Sequence, residues 1–132
     1  MKIESTHAQL NKPASATQAF LSNFENFEQL LPKERVTVNE SSADHIVFEV
    51  QGMATISMKV NERKDNQIAV ISEGKNPFDF KMDIFIKEEE EGKSSAYLIF
   101  DADVNPFMKM MVEKPLTNFF NALADRLQTL DF

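Results

Sequence analysis

The strongest structural signal in the chain is FDFKMDIFIKEEEEGKSSAYLIFDAD, which runs from Phe78 to Asp103. Apolar and polar side chains alternate in its first part and again in its last part, and a charged segment separates the two. Such alternation is typical of antiparallel strands that bury one face. A hairpin through the charged segment places Ile84 opposite Leu98 and Met82 opposite Phe100. Both faces remain chemically consistent in this register, and we therefore predict it.

The period of two extends upstream of this hairpin. Two further runs alternate in the same way, and they begin near Ile46 and Ile56. A third begins near Ile68, but Ala69 and Ile71 make it apolar on both faces and leave its phase open. A glycine lies at or near several of the junctions, where turns accept a positive φ. From residue 35 onward the chain therefore predicts a meander of about six strands.

Helical periodicity precedes this meander. Residues 2–10 predict a mixed polar strand, and two short helices are expected to follow it. In the first helix Ala16, Phe20 and Phe24 form one apolar stripe, with Ala19 beside them. A proline ends the second helix.

A long apolar helical stripe follows Pro106. Its members recur every three or four residues, as expected for a helix that covers a sheet. They are Met108, Met111, Val112, Leu116, Phe119, Phe120, Leu123, Leu127 and Leu130. Pro115 lies inside the stripe and predicts a kink or a break.

The apolar stripe and the apolar sheet face each need a partner. We therefore predict an α+β helix-grip fold. It has a curved antiparallel sheet of about seven strands, two short helices after the first strand, and a long C-terminal helix over the concave face.

Composition narrows the function classes. The chain has 132 residues, 42% hydrophobic and 27% charged, which suits one folded domain, and we assign residues 1–132 to it. It contains no cysteine, which excludes disulfides, zinc–thiolate sites and thiol catalysis. Fourteen basic against 21 acidic residues leave a formal charge of −7. This charge repels phosphate backbones, and we expect no nucleic-acid partner.

The sequence shows no export or membrane signal. No apolar run approaches the ~20 residues that cross a bilayer. The N terminus, MKIE, turns polar at once and leads into no apolar segment. We expect a cytoplasmic protein without integral membrane association.

No constellation of catalytic or metal-ligating residues emerges, and we expect no cofactor and no metal. His7 and His45 lack a Ser, Asp or Cys at a spacing that identifies a triad, and we expect His45 to be exposed. On a regular first strand, His7 would share a face with Ser5 and Gln9. That face either supplies polar groups to a pocket or faces water, and an edge strand favours water.

Phenylalanine and methionine dominate the positions predicted to face inward. The flexible, polarisable Met side chain adapts to irregular ligands, but it also fills gaps in ordinary cores. By side-chain type alone, a solid core is the simpler interpretation. If a cavity exists, the candidate lining residues are Phe48, Met58, Phe80, Met82, Ile84, Leu98, Phe100, Met108, Met111 and Phe119.

Several apolar residues are predicted on the opposite, convex face of the sheet. They are Phe85, Tyr97, Ile99, Ile71 and Val47. Exposed apolar strips often mark subunit contacts, whereas scattered surface hydrophobes are normal. Such a strip would imply that a second copy of the chain binds there and forms a homodimer through the convex face.

Four stretches resemble a known superfamily. LNKPASATQAFLSNFENFEQLLP (Leu10–Pro32) resembles the paired helices and following proline of the START-like superfamily. This superfamily, also called SRPBCC, includes the birch pollen allergen and aromatic polyketide cyclases. More narrowly, QGMATISMKV (Gln51–Val60), GKNPFDF (Gly74–Phe80) and NPFMKMMVEKPLTNFFNALADRL (Asn105–Leu127) resemble small uncharacterised START-like proteins of Bacteroidetes-type bacteria. Thr17-Gln18 departs from the pattern, because relatives usually place a bulky apolar pair there.

The resemblance implies a cavity between the sheet and the C-terminal helix that holds hydrophobic ligands, although a shared fold does not imply one activity. Our leading hypothesis is a carrier that binds a small hydrophobic ligand, lipid-like or polyketide-like. One alternative is an enzyme of the cyclase or hydrolase type, which requires an acid or base in the pocket. The other is a protein-interaction module, which a filled interior and an apolar convex strip would favour.

Overall fold

A computed structural model describes residues Met1–Phe132. Two short strands, β1 (Lys2–Glu4) and β2 (Ala8–Leu10), come first. The helices α1 (Ala14–Ser22) and α2 (Phe24–Phe27) follow, and a 3₁₀ turn (Glu28–Leu30) ends this part. Six further strands are β3 (Val36–Ser41), β4 (His45–Val50), β5 (Ala54–Lys64), β6 (Gln67–Ser72), β7 (Phe80–Glu88) and β8 (Ser94–Ala102). The helix α3 (Pro106–Thr129) closes the chain.

All strands belong to one antiparallel sheet in the order β1-β8-β7-β6-β5-β4-β3, and β2 also pairs with β8. The predicted hairpin register is confirmed, because Ile84 lies opposite Leu98 and Met82 lies opposite Phe100. The long helix packs against the buried face of the sheet. The predicted helix-grip fold is therefore confirmed. No helix of the structure combines the length and the hydropathy that crossing a membrane requires.

The first strand is divided in two, which gives eight strands instead of about seven. Ser5 interrupts the ladder: its backbone N–H donates to the Leu98 carbonyl (2.9 Å), and its hydroxyl accepts from the Leu98 N–H (3.0 Å). Alternation restarts after this interruption, so Ser5 is only 4% exposed while His7 and Gln9 are exposed. The prediction that these three residues share one face was wrong, because it assumed an uninterrupted strand.

Helix α1 buries a different stripe from the one predicted. Its buried residues are Ala14, Thr17, Phe20 and Leu21. Ala16, predicted within the apolar stripe, is only half-buried, and Ala19, predicted beside it, is exposed, so the prediction was wrong at these two positions. Thr17 can be buried because its hydroxyl keeps a hydrogen-bond partner. Its hydroxyl donates to Ser94 Oγ (2.8 Å). The Ser94 hydroxyl in turn donates to the Lys12 carbonyl (2.8 Å).

This hydroxyl chain gives a prediction about stability. Ser94→Ala leaves both the Thr17 hydroxyl and the Lys12 carbonyl without a partner, and we expect it to lower the free energy of unfolding by about 1–3 kcal/mol. Thr17→Val keeps the Ser94–Lys12 bond and the shape of the side chain, and should cost under about 1 kcal/mol. Urea denaturation of both variants measures the difference. A larger loss for Thr17→Val would contradict this account.

Helix α3 continues through Pro115, so the predicted break does not occur. Pro115 is exposed, and it has no N–H to donate to the Met111 carbonyl. All buried residues of α3 lie from Leu116 onward, whereas Met111 is 63% exposed. Met111 was predicted to be buried in the interior, and it is largely exposed instead. The first turns of α3 therefore extend past the apolar core.

The predicted convex strip is half-buried and not freely exposed. Phe85, Tyr97, Ile99, Ile71 and Val47 all have intermediate burial. The Phe85 and Tyr97 rings stack on each other with centroids 5.4 Å apart. Much of their apolar surface is thus covered within the protein itself. A homodimer through this face stays a prediction.

Candidate hydrophobic ligand site

The interior between the sheet and the second half of α3 is nearly filled. Phe100 lies at its centre, with ring centroids 4.7 Å from Phe120 and 5.0 Å from Phe80. Two voids remain there, of about 20 and 30 Å³. Each is about the size of a single water molecule. No ligand fits into this part of the protein without displacing side chains.

Eight of the ten candidate lining residues belong to this filled interior. Those around the void of about 20 Å³ are Phe48, Met58, Phe80, Met82, Phe100 and Phe119. Ile84 and Leu98 line the void of about 30 Å³. Their contact with a ligand stays a prediction.

A larger apolar cavity opens under the first turns of α3. It has a volume of about 210 Å³, and nine of its eleven lining residues are hydrophobic. We call it the end cavity, and it is lined by Met53, Ala54, Ile56, Pro77, Phe78, Asn105, Phe107, Met108, Met111, Val112 and Leu116. It brings together Met108 and Met111 from the candidate list.

The segment before β7 forms one wall of the end cavity, and Asn76 holds it in place. The Asn76 side chain accepts from the Ser57 N–H (2.9 Å) and donates to the Ser57 carbonyl (3.0 Å) and the Glu73 carbonyl (3.1 Å). Phe78 then reaches the core, with its ring centroid 6.3 Å from that of Phe100. The wall is thus fixed to β5 by hydrogen bonds and to the core by aromatic packing.

The opposite wall is the beginning of α3. Asn105 caps the helix, because its side-chain oxygen accepts from the Met108 N–H (2.8 Å). Pro106 at the first helical position suits the helix start. Asn105 has the one hydrogen-bonding side chain that lines the end cavity. Its side-chain oxygen is already used by the helix cap.

Sequence reasoning missed most of the end-cavity lining, including Met53, Ala54 and Phe78. One signal was available. Ala54 is a small residue at an inward-facing position of β5, where Ile56 and Met58 are large. A small side chain at the end of a strand leaves space that its neighbours do not fill.

A second, larger depression lies on the other side of the same helical turns. It has a volume of about 480 Å³, and it shares Met53, Met111 and Val112 with the end cavity. We call it the polar groove. Its remaining lining residues are Arg35, Val50, Gln51, Gly52, Lys114, Pro115, Asn118 and Phe119.

The two histidines lie outside both depressions. His7 stacks on the outward-facing Tyr97, with ring centroids 4.0 Å apart and the rings parallel to within 2°. His45 is half-buried, contrary to the exposed position predicted for it. Its two ring nitrogens lie 2.6 Å from a Glu73 oxygen and 3.2 Å from a Glu40 oxygen, which links three strand regions.

Solved structures show which proteins share this fold. A START superfamily protein from Mycobacterium smegmatis has a TM-score of 0.68 at 16% identity, over 98% of this chain and 99% of that one. Norcoclaurine synthase from Thalictrum flavum has a TM-score of 0.72 at 12% identity, over 97% and 84%. The di-domain ARO/CYC BexL from the BE-7585A biosynthetic pathway has a TM-score of 0.65 at 10% identity, over 97% and 46%.

These similarities define the fold class. No protein-family model matches the chain, and no curated protein matches its sequence. At identities this low, a structural likeness establishes the fold alone. The chain has the START-like helix-grip fold, as its sequence predicted. The narrower resemblance to proteins of Bacteroidetes-type bacteria stays a prediction.

Proposed function

We propose that this protein is a carrier that binds a small hydrophobic molecule in the end cavity. The supporting observation is an apolar cavity of about 210 Å³ that reaches the surface beside Phe107 and Met111, which are 70% and 63% exposed. An apolar cavity of only ~150 Å³ is already known to admit benzene in another protein. The end cavity has room for a short acyl chain or one ring of a polyketide-like molecule.

Apolar contact can supply the affinity. Each Å² of apolar surface removed from water contributes about 25 cal/mol, and no specific polar contact is needed for that gain. Methionine side chains at the entrance adapt to ligands of different shape. These properties support a carrier for hydrophobic molecules more than a site for one polar substrate.

The enzyme alternative has less support from the lining. Acid–base catalysis needs a titratable side chain within reach of the substrate. The end cavity is lined by none, and the polar groove holds two basic side chains, Arg35 and Lys114, and no carboxylate or histidine. Enzymes such as norcoclaurine synthase share this fold, so the fold itself does not distinguish the two functions.

A longer ligand could extend from the end cavity into the core. Met53, Ile56 and Leu116 line both the end cavity and the void of about 20 Å³. Movement of these side chains would bring a ligand against Phe48 and Phe119. Met108 and Met111 line the end cavity itself, and we include the other eight candidate residues in the proposal as the deeper part of the same site.

The proposal predicts that a charge at Met111 weakens binding. Met111→Glu places a carboxylate at the apolar wall, and we expect the affinity for the uncharged fluorescent probe N-phenylnaphthylamine to fall about tenfold. Because Met111 is largely exposed, the fold should tolerate the change. A fluorescence titration measures the affinity. Native mass spectrometry of gently purified wild-type protein would identify a co-purified molecule.

The matched control is Met110→Glu. Met110 is 80% exposed and lines neither depression, so the same charge one residue away should leave probe binding unchanged. Equal losses in both variants would point to a general charge effect and count against the end cavity. A wild-type protein that does not bind the probe would overturn the carrier function.

A further inference from the structure

We infer that the ligand is an amphiphile with one anionic group, a carboxylate, which Arg35 and Lys114 bind in the polar groove. This inference rests on the proposed function, because the apolar part of the same molecule occupies the end cavity. It adds the chemical class of the ligand and the second half of its site.

The two depressions are adjacent, which one molecule needs in order to occupy both. Met53, Met111 and Val112 separate them and line both. Two of these side chains are flexible methionines, and Met111 is largely exposed. A ligand can therefore pass beside Met111 from one depression into the other.

The charge of the polar groove contrasts with that of the whole protein. The chain carries a net charge of −7, yet Arg35 and Lys114 line the groove and no acidic residue does. An anion bound in the groove would lie near the basic side chains of Arg35 and Lys114, and no carboxylate lines the groove to repel it. The groove thus offers an anion a favourable site on a surface that is acidic overall.

The Arg35 guanidinium has no partner within the protein. The other two arginines are engaged: Arg63 donates to two carbonyls and to Asp44, and Arg126 donates to the Gln29 carbonyl. Arg35 forms no ion pair and no side-chain hydrogen bond. A guanidinium with free donors matches a carboxylate, which it can bind through two parallel hydrogen bonds.

Three more donors in the groove are also unused. The side chains of Lys114, Gln51 and Asn118 line it and make no hydrogen bond or ion pair. Together with Arg35 they form a set of free N–H donors on one side of Met111, whereas the end cavity on the other side is apolar. This division into a donor-rich half and an apolar half is complementary to an amphiphilic acid.

Octanoate and octanol test the inference, because they differ in the charge of the head group and share the alkyl chain. Their affinities follow from displacement of N-phenylnaphthylamine. We expect the double variant Arg35→Gln/Lys114→Gln to bind octanoate about five- to tenfold more weakly than the wild type does. Octanol binding should change less than about twofold, since octanol makes no charge-assisted contact. High salt should weaken octanoate binding alone.

The matched control is Lys81→Gln/Lys87→Gln, which removes the same charge from exposed positions of β7 outside both depressions. It should leave octanoate binding unchanged. An equal loss in this control, or an unchanged octanoate affinity in Arg35→Gln/Lys114→Gln, would overturn the inference while the carrier function stands. If the wild type binds neither the probe nor either ligand, the carrier function fails and the inference fails with it.

Discussion

Ala54→Phe is expected to reduce the affinity for N-phenylnaphthylamine and for octanoate by about twentyfold or more, because the new ring occupies the end cavity. Ala54 lies at the start of β5, on the face that carries Ile56 into the core. Ala54 lines the end cavity, so we expect a benzyl side chain at this position to project into a space of about 210 Å³. This is the largest loss of binding that one substitution in the chain should cause.

The same substitution should leave the protein at least as stable as before. Overpacking destabilises a filled core, but a ring added to an empty apolar space gains contacts and can stabilise by about 0.5–2 kcal/mol. Thermal unfolding measured beside the binding titration therefore separates a blocked site from a misfolded protein. Loss of both binding and stability would show that the space cannot accept the ring.

Thr55→Phe is the matched control for Ala54→Phe. Thr55 is the next residue of β5, it is exposed, and its side chain points to the other face of the sheet. The same ring at this position should leave probe affinity unchanged. Weak binding in the control as well would contradict the assignment of the site to the end cavity.

Phe100→Ala should cause the largest loss of stability, about 3–5 kcal/mol. Phe100 is buried on β8, and its ring centroid lies 4.7 Å from that of Phe120 and 5.0 Å from that of Phe80. Removing the ring takes away contacts to the sheet and to α3 at the same time. Domains of this size are stable by only about 5–15 kcal/mol, so the variant approaches the limit of folding.

Urea denaturation measures this loss, and Phe107→Ala provides its control. Phe107 is 70% exposed in the first turn of α3, and its truncation should change the free energy of unfolding by less than about 0.5 kcal/mol. A cost below about 1 kcal/mol for Phe100→Ala would contradict the central role of its aromatic cluster.

The β7–β8 hairpin was predictable because its signal is local. Apolar side chains recur at every second position of both strands, and a shift by one residue would turn Met82 and Phe100 out of the core. The turn between the strands is short, so it leaves few alternative registers. The sequence therefore determined both the pairing of Ile84 with Leu98 and the face that each strand buries.

The predictions for α1 and for the first strand were wrong because contacts with residues distant in sequence override the local hydrophobic period. Thr17 is buried because Ser94, far away in the sequence, accepts a hydrogen bond from its hydroxyl. The alternation of the first strand is interrupted because the Ser5 hydroxyl replaces a backbone group in the ladder with Leu98. Neither partner can be identified from the period of the segment itself, since the period describes only which positions could be buried.

The candidate site also has one part that the sequence predicted and one part that it missed. The apolar stripe of α3 predicted a helix over the sheet, and the buried residues from Leu116 onward confirm this. The sequence did not indicate that the first turns of α3 cover a cavity and not the filled core, so Met111 was predicted to be inside although it lies at the cavity entrance.

By itself, then, the sequence determined the order of the elements, the strand faces and the helix-grip fold, because hydrophobic periods act over a few residues. Only the tertiary structure decided where space remains. The volume of the end cavity depends on how closely the first turns of α3 approach the sheet. It also depends on side chains such as Ala54 and Phe78, which are distant in sequence. The placement of Arg35 and Lys114 along one groove depends on the same packing.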